Sequence, residues 1–280
     1  MGLVEGRQLA AVDAVRQVLK GRHLGARQAD AAQPLVGRAQ YVVRREAVRC
    51  ARIERLDAAV DGGGRLVGKL LVDDRLYRRQ RHVYDFTRKY YLLGRDRLIE
   101  RLEPAAGEAV LEIGCGTARN LICAEQRYPQ ARFFGIDVSA AMLATAHDEI
   151  AREGLSARIR LARADATEFD PARLFGVPAF SRIFISYTLS MIPQWPRVLA
   201  EALRRLTPDG QLHIVDFGGQ ERLPRWFSWG LRRWLAAFHV WPRDRLEGAL
   251  AVLALQAGAL AVLERSYRGY AQYAVARKVA

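Results

Sequence analysis

The chain has 280 residues, half of them hydrophobic and about a quarter charged, which is ordinary for a soluble globular protein of one domain or one domain with an appendage. Its 44 Lys and Arg against 30 Asp and Glu, net +14, are not ordinary. They predict attraction to polyanions, nucleic acid or an anionic membrane surface, although arginine richness from GC-rich coding would give the same count. Three cysteines (Cys50, Cys115, Cys123) without C-x-x-C spacing, and five scattered histidines, support neither a disulfide framework nor a metal site.

Residues 1–70 alternate Arg, Gln, Ala, Asp and Gly with weak periodicity and end at Asp61-Gly-Gly-Gly64. Leu9–Leu19 and Gln40–Leu56 could form short helices, but neither has an apolar face, and a poorly ordered extension is expected. A start codon assigned too far upstream would also produce such a segment. The opening Met-Gly-Leu-Val-Glu-Gly-Arg lacks the apolar core of a signal peptide, and the most apolar stretch, Gly248–Leu263, is interrupted by Gln256 and Gly258 and is short for a bilayer span. A cytoplasmic protein is the expectation.

Order sharpens from Leu71. Asp73–Leu102 reads as one or two helices with Tyr77, Tyr84 and Tyr91 at helical spacing, so residues 71–104 are expected to form a helical lid. From residue 105 strands and helices alternate. The first strand is Ala109–Ile113, with a helix from about Ala118 to Arg127 stopped by Tyr128-Pro129. The second is Arg132–Asp137, with a Ser139-capped helix to about Glu153 closed by Gly154. Ile159–Arg163 and Phe180–Ser186 follow as strands, then a helix Trp195–Leu206, a strand Gln211–Phe217 after Pro208-Asp-Gly210, and a helix Arg243–Gln256. Ala259–Tyr267 and Tyr270–Lys278 close the chain as a hairpin. The pattern predicts an α/β, Rossmann-like, doubly wound seven-stranded sheet with an antiparallel last strand, spanning 105–280 and carrying an aromatic and basic insert at 221–242.

Glu112-Ile-Gly-Cys-Gly-Thr117 follows the first strand, and Asp137 ends the second. A strand, a glycine turn, a helix and a strand closed by a carboxylate form the unit that holds an adenosine cofactor. The glycines are spaced G-x-G, and Asn120 stands where a dinucleotide fingerprint has its third glycine. With Glu112 two positions before the first glycine, the run resembles motif I of the class I S-adenosylmethionine-dependent methyltransferases. The resemblance implies S-adenosylmethionine as cofactor and no metal. Glu112, Gly114, Cys115, Gly116 and Thr117 would cradle its methionine portion, and Asp137, with Val138 and Met142 nearby, would take the ribose. Asp165 and Ala166, after the third strand, would take the adenine, and Ser186 at the end of the fourth would complete the site. Read without the resemblance, Asp165 is a turn residue, Cys115 is small rather than reactive, and His213 is packed in its strand.

Ser186-Tyr187-Thr188-Leu189-Ser190 lacks the Asn/Asp-Pro-Pro-aromatic run with which base-directed methylases hold a planar nitrogen, which argues against a nucleic-acid substrate and a stable nucleic-acid partner. Upstream, Gln80 to Arg97, with Tyr84-Asp-Phe-Thr-Arg88-Lys-Tyr90-Tyr91-Leu-Leu-Gly94-Arg95-Asp96-Arg97, resembles the N-terminal element of the betaine-lipid N-methyltransferases, a likeness covering about residues 73–280. Those enzymes trimethylate the amino group of diacylglyceryl-homoserine. For such a substrate Tyr84, Tyr91 and Tyr187 are the candidates to orient the amine, and Arg88 and Arg95, with Tyr90 beside them, to bind the homoserine carboxylate by charge-assisted pairing. The likeness also implies a peripheral enzyme meeting its lipid at an anionic membrane. Pro224 to Trp241 fits that expectation, because it holds four of the five tryptophans with Arg225, Arg232 and Arg233 between them, as in a helix lying in a lipid interface. An insert capping the core with its aromatics buried is the bland alternative. Competing functions are a phosphatidylethanolamine or other small-molecule N-methyltransferase, a basic RNA-binding protein, and a scaffold that binds cofactor without turnover.

Overall fold

Five- to seven-residue apolar runs without polar alternation predict strands covered on both faces, and β1 (Ala109–Ile113) is buried along its whole length. The computed structural model describes residues 92–279. The N-terminal extension, most of the expected lid, and Tyr84, Arg88, Tyr90 and Tyr91 lie outside the described residues.

β1, β2 (Arg132–Asp137), β3 (Ile159–Arg163), β4 (Phe180–Ser186), β5 (Leu206–Phe217), β6 (Ala259–Ser266) and β7 (Ala271–Lys278) form one sheet in the order β3-β2-β1-β4-β5-β7-β6. The first five are parallel, and β7 runs antiparallel between β5 and β6, as expected. The chain winds outward from β1 to β3 and then returns across β1 to β4. That reversal opens a crevice at the carboxyl ends of β1 and β4, where ligands bind in open sheets of this kind.

The two-residue period of each strand divides the core. Leu111, Ile113, Phe134, Ile183 and Ile185 face the layer of α5 (Trp195–Arg204) and α7 (Leu246–Gln256). Val110, Phe133, Phe184, Val215 and Tyr273 face α1 (Arg95–Glu100), α2 (Arg119–Arg127) and α3 (Ala140–Arg152). Glu112 shares the face of Val110, so its carboxylate is carried to the α1 and α2 side. Ser139 caps α3 as its sequence predicts, accepting from Met142 N at 3.3 Å.

Among the described residues, one helix of the expected Asp73–Leu102 segment begins at Arg95, after Gly94 at φ 89°. Two features differ from expectation. A short α4 (Pro171–Phe175) was not anticipated; Asp170 caps it and proline opens it, but five residues carry no periodicity to detect. β5 starts at Leu206 rather than Gln211. Its pairing with β4 jumps from Phe180↔Leu206 to Arg182↔Gln211, so Pro208-Asp-Gly210 is looped out as a bulge inside the strand, with Asp209 at φ 60°. α6 (Arg225–Ala237) occupies the aromatic insert.

His213 is packed, as its place in a strand implies: Nδ1 lies 2.8 Å from the Tyr273 hydroxyl and Nε2 3.1 Å from Gln211 Oε1. Burial first, and then the Arg182 and Arg101 charges, push its pKa down to about 3. The unfolded chain therefore binds the extra proton below its ordinary pKa of 6.5, and this stabilisation is lost as pH falls from that point. Asp216, raised to about 6 by burial, acts in the opposite direction over the acid side of the same range. Between pH 6.5 and pH 5 the histidine contribution is about 2 kcal/mol. His213→Gln should therefore reduce the acid-side loss of stability by about that amount in urea melts at pH 7 and pH 5. An unchanged pH dependence would contradict the assignment.

Candidate functional site

At the end of β1 the chain must reverse within a few residues to enter α2, and Gly114 (φ 72°), Gly116 (φ 53°) and Ala118 (φ 62°) all take the left-handed conformation. The turn is pinned to the end of β2. Gly114 N and Cys115 N both donate to Ile136 O, at 2.8 and 3.0 Å, and Gly116 N donates to Asp137 Oδ2 at 2.8 Å. Asp137 Oδ1 accepts from Ser139 N at 2.9 Å. Asp137 thus builds the turn as well as standing beside it, and each carboxylate oxygen retains a further acceptor site. Gly114 has a second constraint: a Cβ there would lie 2.2 Å from Thr188 Cγ2.

Asn120, in the position of the missing third glycine, donates from Nδ2 to Glu112 Oε1 at 2.7 Å. The residue that departs from the dinucleotide pattern therefore orients the buried carboxylate. A cavity of about 310 Å³ runs along this turn, lined by Glu112, Gly114 and Gly116, by Leu92 and Arg95 from the α1 side, and by Ser186 from β4. Arg95 is buried. The Ser186 hydroxyl is buried in the cavity wall without a hydrogen-bond partner, as is Asn120 Oδ1. A glycine cradle, a buried acid and base, and an unsatisfied hydroxyl on one cavity fit a small zwitterionic ligand.

The remaining expected residues lie at the neighbouring strand ends. Val138 is 53% exposed and Met142 is buried at the start of α3. Asp165 is exposed, and its Oδ1 accepts from Thr167 N at 2.8 Å and from the Thr167 hydroxyl at 2.7 Å, with Ala166 inside that turn. Asp165 is thus a turn residue in its local contacts. Cys115 is buried, and burial followed by the Glu112 and Asp137 charges pushes its thiol well up, which leaves it unreactive.

The expectation that Tyr187 orients a substrate amine is corrected. The side chain is 2% exposed, with φ 55°, and its hydroxyl donates to Leu93 O at 2.6 Å. The ring packs edge-on against Phe217, and burial, reinforced by Asp216, holds the phenol protonated. It fastens the segment before α1 onto the end of β4. Sequence reasoning also missed the group that holds the next loop. Asp216, fully buried, accepts from Ser190 N at 3.0 Å and Phe217 N at 2.7 Å. The Arg243 guanidinium donates to the carbonyls of Leu189, Ser190 and Ile192. A lone acid in the apolar run His213-Ile-Val-Asp216-Phe217 was the available signal.

A 3-2-1-4-5-7-6 sheet with this turn is the fold of the class I S-adenosylmethionine-dependent methyltransferases. Residues 110–210 match the family model described as methyltransferase domain. The chain is 31% identical over 121 residues to Methyltransferase GfsG of Streptomyces halstedii, covering 43% of this chain and 42% of that protein. It is 28% identical over 151 residues to a demethylmenaquinone methyltransferase of Listeria monocytogenes, covering 54% and 60%. The chain thus spans about half the length of these curated relatives. Phosphoethanolamine N-methyltransferase 2 of Haemonchus contortus, solved with S-adenosyl-L-methionine, shares the fold at TM-score 0.53 and 18% identity, over 66% of this chain and 52% of that one.

Gly114 carries both a left-handed φ and the Thr188 contact, and the two can be separated. Gly114→Ala should destabilise by about 3 kcal/mol in the parent. In a Thr188→Gly background the cost should fall to about 1–2 kcal/mol, the backbone part alone. A double-mutant cycle by chemical denaturation measures this; additive costs would mean that the close approach is not limiting.

Proposed function

We propose that the chain methylates the amino group of diacylglyceryl-homoserine, up to three times, with S-adenosylmethionine as donor. The observation that carries the donor half is the sharing of one cavity by Glu112, Arg95 and the Gly114–Gly116 turn. The acceptor half is supported by the resemblance of residues 80–97 to the betaine-lipid enzymes. The Haemonchus contortus neighbour, named as an N-methyltransferase, is compatible with an amine acceptor on this fold.

When bound, the cofactor supplies a sulfonium-activated methyl group, a strong electrophile, so the protein mainly aligns and desolvates. Glu112 meets the ammonium of the methionine portion. Arg95, on the same cavity, meets its carboxylate through charge-assisted hydrogen bonds. This moves Arg95 from the headgroup to the donor, because it lines one cavity with Glu112 and the glycine turn. Cys115 and Thr117 close the turn around that end. Asp137 accepts from the ribose hydroxyls with the acceptor sites left by its two amide bonds. Val138 and Met142 lie beside Asp137 at the ribose, Asp165 and Ala166 border the adenine, and Ser186 offers its hydroxyl near the transfer point. Arg88 and Tyr90 retain the headgroup role, and Tyr84 and Tyr91 orient the amine and stack on the cation as methyl groups accumulate. The bound donor would give its methyl group to the amine lone pair and leave as the neutral thioether, and each ammonium product would release its proton to water before the next transfer.

The full chain should be incubated with methyl-labelled S-adenosylmethionine, diacylglyceryl-homoserine, phosphatidylethanolamine, demethylmenaquinone and total RNA. Label is expected in the homoserine lipid, with one, two and three methyl groups in succession. Label in the ethanolamine lipid or quinone would overturn the acceptor, and label in RNA would overturn the lipid reading altogether. Arg95→Ala should raise KM for the cofactor about 10- to 100-fold, the loss expected for a hydrogen bond to a charged group. Its KM for lipid should barely change. The opposite split would return Arg95 to the headgroup.

A further inference from the structure

Large apolar side chains are not scattered over the described surface. Of nine that are exposed, five lie in or just after α6: Trp226 (75% exposed), Trp229 (69%), Trp241 (55%), Trp234 and Phe227. This rules out an insert that buries its aromatics as a cap on the core. The helical period explains the pattern. Leu235 is the buried residue of α6, with Leu231 and Ser228 half-buried on the same side. Trp226, Trp229 and Arg233 then fall together on the opposite side, and Arg233 lies over the Trp229 ring, 5.8 Å from its centroid.

The helix is held rather than loose. Arg232 pairs with Asp244 and donates to Gly219 O, and the Ser228 hydroxyl donates to Gln220 O. Trp241 N donates to Ser190 O, in the loop after β4. The helix therefore sits beside the carboxyl edge of the sheet. Its charge has one sign: no acidic residue occurs between Glu221 and Asp244, a stretch that contains Arg222, Arg225, Arg232, Arg233 and Arg243.

We infer that the outward face of α6 seats the protein on a bilayer that displays anionic headgroups, with Trp226 and Trp229 at the depth of the headgroups and Arg225 and Arg233 on phosphates. Indoles belong at that depth because one end is apolar and the N–H is satisfied by the wet interface, and exposed arginines between them meet anionic lipid rather than apolar protein. A second copy of this chain would bring the same arginines against each other, which disfavours self-association. The inference rests on the lipid-acceptor reading for its purpose, since it brings the acceptor's own phase to the crevice. Its test reads binding, so the two can fail separately.

The full chain should sediment with vesicles of phosphatidylcholine mixed with phosphatidylglycerol and much less with phosphatidylcholine alone, and the binding should weaken as salt rises. Brominated acyl chains should quench its tryptophan emission. Trp226→Ala/Trp229→Ala should lower vesicle affinity about tenfold or more, given the area each ring withdraws from water. Arg225→Ala and Arg233→Ala should lower it about fivefold each. Both sets should keep the parent's affinity for S-adenosylhomocysteine, which shows that they fold. Undiminished vesicle binding in the tryptophan variant would overturn the inference. So would binding to RNA with none to vesicles, or a dimer by light scattering that the tryptophan variant abolishes. Vesicle binding with no methylation of the homoserine lipid would leave this surface standing and remove the acceptor.

Discussion

Everything at the carboxyl edge of the sheet depends on how closely the turn after β1 can lie against its neighbours. Three successive amides, of Gly114, Cys115 and Gly116, are spent on the end of β2, on the Ile136 carbonyl and the Asp137 carboxylate. The other side of the turn presses on Thr188, closely enough that a methyl group on Gly114 has no room. The turn is thereby fixed to both strands that flank β1. Because it is fixed, the Glu112 carboxylate emerges at a set place on the α2 side, where Asn120 holds it. A ligand with a charged amino-acid end then meets preformed partners rather than loops that must be ordered on binding.

The opposite wall is fixed by a different kind of contact. Tyr187 adopts a left-handed backbone so that its ring turns into the core and its hydroxyl reaches the Leu93 carbonyl, which brings Arg95 to the cavity. Beneath it, Asp216 and Arg243 grip the loop from Leu189 to Ile192 from two sides, one through the Ser190 amide and the other through carbonyls. A buried carboxylate raised to about 6 is costly to ionise, and its position is explained by the loop it secures rather than by acid-base chemistry. In the proposed reaction this rigidity matters more than any proton donor, since alignment is what an activated methyl group requires.

Beside this edge, among the described residues, lies α6 with its outward tryptophans. The described part contains no helix long and apolar enough to cross a membrane. The proposed contact with a bilayer is one of surface, made by side chains that the fold leaves outside its core.

Much of this was legible in the residues. Period-two burial, glycine at positive φ, a serine cap and alternating strand and helix patterns are local properties, so strands β1 to β4, the α3 cap and the G-x-G turn could be read from order and spacing alone. The bulge that starts β5 at Leu206 could not, because proline and glycine signal a break without saying that the pairing resumes on the same strand. Nor could the fate of individual polar groups. Tyr187 looked like a residue of the site and is a clamp; Asn120 looked like an absence of glycine and is the partner of Glu112; Asp216 drew no attention and holds a loop. Arg95 was read as a headgroup ligand, and it lines the same cavity as Glu112. The chain's order determined which residues reach the carboxyl edge of the sheet. Which of them face the cavity, which face each other and which face solvent was decided by strand pairings and a left-handed backbone far apart in sequence, because hydrogen-bond partners are chosen in three dimensions.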